Sequence, residues 1–224
     1  MVNPDPFLTQ RPQACELFIV RHADAIPDED ELIPGGIYDD LPLSKVGREQ
    51  AQALATRFQN VPFNALYSSP LRRCQETAAP LAEHLSMPLA LVPPLAEIRL
   101  GEVIPLPDPK DLTALSRALK ERQREIIRQV GLSGSWDSIA DSEPSADFRR
   151  RVLEGFSGII RRHIGERVMV FSHGGVINIY IAEVLGLKKD FFFPAANTSV
   201  TVVRANERLS VLYTLNDINH LKLF

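Results

Sequence analysis

The feature that most constrains this chain is a pair of short apolar runs that end alike. Residues 17–20 (LFIV) lead directly into Arg21-His22, and residues 168–171 (VMVF) lead into Ser172-His173-Gly174-Gly175. Each run is too short for a helix and reads as a buried strand. Similar runs at 64–67, 89–92, 199–204 and 210–215 are separated by helical patterns at 45–58, from Pro70 to Leu85, and at 110–130, 145–163 and 176–185. That alternation predicts an α/β protein, a three-layer α/β/α sandwich with a mostly parallel central sheet.

Local signals sharpen the outline. Ser44 reads as the N-cap of the first helix, with Val46, Leu54 and Phe58 near its inner face. Ser69-Pro70 places a cap and an N1 proline at the next helix, and Pro80 inside that helix is expected to kink it or split off its last turn. In the helix at 145–163, Phe148, Val152, Phe156, Ile159 and Ile160 point inward. Residues 1–14 read as a flexible lead-in, and 15–224 as a single domain. Residues 102–147 read as a helical insertion that caps the domain, because one amphipathic helix cannot bury itself alone.

Composition narrows the class. Hydrophobic residues are 45% and charged residues 24%, a globular balance, and a net charge of −3 gives no electrostatic case for nucleic-acid binding. No apolar stretch approaches the ~20 residues of a membrane helix. Cys15 and Cys74 cannot form a disulfide framework, and the first residues lack the pattern of a secretory signal, so a cytoplasmic location is expected. Phe191-Phe192-Phe193 reads as core, with a homodimer interface as the alternative use of that run.

Parallel sheets bind ligands beyond the carboxyl ends of their strands. If both His-terminated strands are parallel, His22 and His173 share one rim, and the strand at 64–67 brings Arg72 and Arg73 to it. A single histidine at a strand end is ordinarily a solvated loop residue; two histidines and two arginines converging by topology are not ordinary. A metal site fits poorly, since arginine is no ligand and repels cations, and no HExxH or CxxC spacing is present. A phosphate dianion fits well: arginine matches its oxygens, and a neutral imidazole nitrogen can attack phosphorus. Phosphoryl transfer without a cofactor is the best chemical match.

The runs FIVRHADA, PLSKVGREQAQALA, YSSPLRRCQETA, LAEIRLGE and VFSHGGVIN, in that order, resemble the histidine phosphatase superfamily, also called the phosphoglycerate mutase-like family. The resemblance spans residues 17–215, interrupted by 102–147. It implies that His22 is the phosphorylated nucleophile and Arg21 a phosphate ligand. The S-x-L-x-R-x-x-x-T-A pattern, on Ser69 to Ala78, selects Arg73 as the second phosphate arginine. Glu97, in the L-x-E that precedes Gly101, is implied as the general acid, with Asp24 and Asp28 as rival donors. His173 is implied as a phosphate-oxygen donor, with Gly174 beside it and Asn197 near the pocket. The amides that open the helix after His173, around Gly175 and Asn178, are possible further donors, while His84, His163 and His220 match no motif and read as helix-surface or tail residues.

One departure stands out. Many members carry R-H-G-x-T and a downstream asparagine, whereas this chain has Ala23, Asp24 and Ala25, with Asp28 at the asparagine position. The pocket must therefore compensate or hold phosphate less fully. R-H-A-x-A also resembles the smaller phosphohistidine phosphatases. The implied activity is hydrolysis of a small phosphorylated metabolite. The alternatives are a phosphomutase, a phosphohistidine or phosphotyrosine protein phosphatase, and a non-catalytic phospholigand-binding protein. Lys110, Arg117, Lys120, Arg122 and Arg124 of the insertion are expected to form a solvated face.

Overall fold

A computed structural model describes residues 5–27, 40–101, 103–104, 106–107 and 111–221. Asp28 and Lys110 lie outside the described residues. The strands are β1 (Cys15–Arg21), β2 (Ala65–Ser68), β3 (Leu89–Leu91), β4 (Arg167–Ser172), β5 (Val200–Ala205) and β6 (Ser210–Asp217). They form one sheet in the order β3-β2-β4-β1-β5-β6. β1 to β4 run parallel, and β5 and β6 close the sheet antiparallel. The helices are α1 (Lys45–Phe58), α2 (Arg72–Leu85), α3 (Leu112–Ser133), α4 (Ser145–Arg162) and α5 (Gly174–Val184).

Strand periodicity divides the core into two layers. Leu17, Ile19, Val168 and Val170 face α4 and α5, where they meet Phe148, Val152, Phe156, Ile177 and Ile181. Val20, Met169, Phe171 and Leu66 face α1 and α2, against Leu54, Phe58, Cys74 and Leu81. The expected three-layer sandwich is the fold found. The phenylalanine run belongs to the core: Phe191 is buried, and Phe192 and Phe193 pack against the same layer.

Several local expectations need correction. Ser44 caps α1 as expected, accepting from Gly47 N, but Val46 is exposed. Gly47 takes the inner position, because a Cβ there would lie 1.9 Å from the Asp24 carbonyl oxygen. Ser69 does not cap α2. That helix starts at Arg72, whose N–H is taken by the Asp40 carboxylate at 2.6 Å. α2 is not split at Pro80 and runs on to Leu85. Within the lead-in, Leu8 is buried, the carbonyls of Leu8 and Thr9 accept from Arg204, and the Phe7 carbonyl accepts from Tyr213, so residues 7–9 are tied to β5 and β6.

The segment between Arg99 and Glu143 begins and ends side by side. Glu143 N donates to the Arg99 carbonyl at 2.8 Å, and Gly101 N to Ser142 Oγ at 3.0 Å. Val130, Trp136 and Ile139 enter the α4/α5 layer. At its other end, Leu115 and Leu119 of α3 pack with Ala25, Ile26 and Leu41, over the loop that follows His22. Arg117, Lys120 and Arg124 are exposed and Arg122 is half-buried, as a solvated face requires.

Candidate active site

The carboxyl ends of β1, β2 and β4 bring the candidate residues together. His22 follows β1 and continues its ladder, donating its N–H to the Ser172 carbonyl at 2.8 Å. The residue is 9% exposed. Nδ1 lies 2.7 Å from the Ala23 carbonyl oxygen. A carbonyl can only accept, so Nδ1 carries the proton and Nε2 holds a free lone pair. Burial, then the charges of Arg73 and Arg21, push the His22 pKa well below 6.5. The result is a neutral imidazole with one nucleophilic nitrogen.

Arg21 ends β1. One Nη donates to the Ala195 carbonyl, and the buried Nε has no partner among the described residues. An unpaired guanidinium N–H of this kind suits an anion oxygen. Gly174 sits against it, with a virtual Cβ 3.7 Å from that Nε. Arg73 occupies the first turn of α2. Its charge depresses the pKa of His22, of His173 and of Arg21. Arg72 is exposed and paired with Glu76 at 2.6 Å. Arg73, not Arg72, is thus the arginine of the cluster.

His173 is the N-cap residue of α5 and fully buried. Its ring centroid is 5.3 Å from that of His22. Nε2 shares a 2.7 Å hydrogen bond with Ser69 Oγ, and the Cys74 thiol lies 3.4 Å from the same nitrogen. Burial, with Arg73 next, holds its pKa well below 6.5.

Glu97 completes the group. Its carboxylate accepts from Gly175 N at 3.2 Å and from Ile98 N at 3.1 Å. Desolvation outweighs these two bonds and the arginines, and its pKa is raised above 4.5. A buried carboxyl whose protonated form is favoured in this way can serve as an acid.

Asp24, the rival donor, is engaged elsewhere: its carboxylate accepts from Ser44 Oγ and its carbonyl from Ser44 N. Asn197 donates a side-chain N–H to the His22 carbonyl at 3.1 Å, and Thr198 N donates to the Arg21 carbonyl at 3.0 Å. One Asn197 N–H is therefore spent on the backbone of His22. Gly175 N, considered as a phosphate donor, is taken by Glu97. The Asn178 side chain ties the carbonyls of Gly174 and Phe193 to the amides of Phe192 and Phe193 instead of facing a ligand.

Of the remaining histidines, His84 is exposed. His163 bridges Tyr67 and Glu166. His220 is not a plain tail residue: Arg57 meets its Nδ1 at 3.3 Å, and its Nε2 reaches Thr198 Oγ1 at 2.9 Å. A groove of about 940 Å³ between α1 and α2, lined by Leu43, Ala51, Arg72 and Glu76 among others, includes none of Arg21, His22, Arg73, Glu97 or His173. Among the described residues there is no metal-competent cluster of three His, Cys, Asp or Glu, and no helix is long and apolar enough to cross a membrane.

A neutral imidazole under the charge of two guanidinia, with a second buried imidazole 5.3 Å away, is the arrangement expected of a histidine phosphatase. The sequence profile of the histidine phosphatase superfamily (branch 1) matches residues 17–218, and the chain belongs to that superfamily. It is 27% identical to the metal-independent phosphoserine phosphatase of Arabidopsis thaliana, over 93% of this chain and 84% of that one. It is 28% identical to phosphoserine phosphatase 1 of Hydrogenobacter thermophilus, over 93% of this chain and 95% of that one. Among solved structures, Bacillus stearothermophilus YhfR shares the fold at a TM-score of 0.71 and 23% identity, covering 92% of this chain and 99% of that one. A phosphoglycerate mutase from Bacillus anthracis does so at 0.70 and 19%, covering 93% and 95%.

Proposed function

We propose that the protein is a phosphomonoesterase that hydrolyses a small phosphorylated metabolite through a phosphoryl group carried on Nε2 of His22. The observation that carries this reading is the 2.7 Å bond from Nδ1 to the Ala23 carbonyl, which leaves Nε2 as the free lone pair. In the first half-reaction Nε2 bonds to phosphorus as the ester P–O bond breaks, and Glu97 protonates the departing alkoxide. In the second, the Glu97 carboxylate takes a proton from water, the resulting hydroxide attacks phosphorus, and the P–N bond returns its electrons to Nε2. Arg21, Arg73 and His173 hold the equatorial oxygens, where transition-state charge is spread.

Two observations favour hydrolysis of a small ester. Arg117, Lys120 and Arg124 of α3 are exposed, which supports reading them as a solvated face and not as the second phosphate site a mutase would need. The two relatives described above, which align over 93% of this chain, are phosphoserine phosphatases, whereas the probable phosphoglycerate mutases among its relatives align over 77%. O-Phosphoserine is therefore the first substrate to test. The buried, unpaired thiols Cys15 and Cys74 support a reducing, cytoplasmic setting.

A phosphate-release assay across small phosphate esters and phosphopeptides tests the proposal. Stoichiometric release from small esters is expected. Turnover confined to peptides, or isomerised ester without release, contradicts it.

A further inference from the structure

Arg151, on α4, makes none of the phosphate contacts assigned above, yet it is tied to the loop that carries Glu97. Its Nη1 donates to the carbonyls of Pro94 at 2.7 Å and Ala96 at 2.6 Å. Its Nη2 donates to the carbonyl of Glu97 at 3.1 Å and to Glu143 Oε2 at 2.7 Å. Nε completes a fork with Glu143 Oε1 at 2.6 Å. The guanidinium lies 4.7 Å above the Phe148 ring, which fixes its plane. Glu143 in turn accepts from Arg99 N at 3.3 Å, on the far side of the acid.

Residues 96–100 lie in no helix or strand. Ladder hydrogen bonds therefore cannot set where Glu97 stands. A planar donor fork spanning the carbonyls of Pro94, Ala96 and Glu97 can, and a lysine ammonium, being a point charge, cannot reproduce it. Ser172 Oγ, donating to the Leu95 carbonyl at 3.1 Å, adds a further tether from β4.

We propose that Arg151, braced by Glu143, is a positioning residue that holds the Glu97 carboxyl in register with the departing oxygen. The proposal rests on Glu97 being the general acid. It also makes Glu143, at the end of the insertion, part of the apparatus that sets the acid.

The test compares O-phosphoserine, a poor leaving group, with p-nitrophenyl phosphate, a good one, in the intact protein and in Glu97→Gln, Arg151→Lys, Glu143→Gln and the Arg151→Lys/Glu97→Gln pair. Misplacing a catalytic group by about 1 Å costs on the order of 100-fold. Arg151→Lys is accordingly expected to lower kcat on phosphoserine by about 10-fold to 100-fold, with KM and the aryl ester changed by less than about 3-fold. Glu143→Gln should show the same selectivity more weakly, and the double variant should match Glu97→Gln alone. Equal losses on both esters in Arg151→Lys overturn the proposal while leaving Glu97 as the acid. Should Arg151→Lys fail to fold, equal losses in Glu143→Gln overturn it in the same way. Glu97→Gln without leaving-group selectivity overturns the acid assignment and this proposal together.

Discussion

The rings of His22 and His173 stand 5.3 Å apart at an interplanar angle of 60°, and each is held by a different anchor. His22 is held by the Ala23 carbonyl and His173 by the Ser69 hydroxyl, both at 2.7 Å. Burial and the neighbouring arginines keep both rings neutral, so they do not repel one another before substrate arrives.

That relationship has a measurable pH signature. Both folded pKa values lie well below 6.5, so between 6.5 and those values the unfolded chain binds protons that the folded one refuses. Stability contributed by the two rings is present above 6.5 and is lost as pH falls through the folded values. NMR titration of the ligand-free protein should show neither ring titrating near 6.5. A midpoint at 6.5 for His22 contradicts the neutral-nucleophile assignment.

Glu97 titrates in the opposite sense. Its pKa is raised above 4.5, so its proton persists at a pH where an ordinary carboxyl has lost it, and acid catalysis disappears as pH rises through the raised value. Glu97→Gln should lower kcat on phosphoserine by roughly 100-fold to 10,000-fold and remove that alkaline limb. A pH–kcat profile that is unchanged in shape contradicts the role.

Gly175 offers an indirect probe of the same carboxyl. A Cβ there would fall 2.5 Å from Glu97 Oε1 and 2.9 Å from Trp136 Cζ2. The indole is wedged edge-on against Phe148 and Phe191, so the carboxyl end is the part that moves. Gly175→Ala should lower the melting temperature and slow phosphoserine turnover more than aryl ester turnover. Equal slowing of the two esters contradicts this account.

His220 connects the C-terminal segment to the backbone at Arg21. Arg57 donates to its Nδ1, leaving Nε2–H for Thr198, whose backbone N–H in turn holds Arg21. Burial, then Arg57, lowers its pKa to about 4. His220→Phe should reduce kcat several-fold with little change in KM, and His220→Gln, which retains a donor, should recover most of it. Equal behaviour of the two variants contradicts a positioning role.

The two His-terminated strands were legible because a four-residue apolar run followed by a polar pair has few other uses, and parallel pairing puts both ends on one rim. Arg73 and Glu97 became legible through the motif resemblance. Val46 misled because helical spacing does not reveal a close approach, and Gly47 is what lets α1 reach Asp24. Ser69 read as a helix cap because serine before proline usually is one; its use on His173 depends on a strand 100 residues away. Arg151 is one of three consecutive arginines on α4, and nothing local separates the one that grips a loop from Arg149, which pairs with Glu183 and Asp190, or from the exposed Arg150. Asn197 and His220 act through bonds to residues far off in sequence, which no short pattern records.

The account depends most on the identity of the phosphorylated atom. Rapid acid-free quenching of the enzyme with ³²P-labelled substrate, followed by mapping of the labelled peptide, tests it directly. The predicted result is an acid-labile, alkali-stable label on the peptide containing His22, absent in His22→Ala and formed more slowly in His173→Ala. Label on His173, or undiminished turnover in His22→Ala, contradicts it.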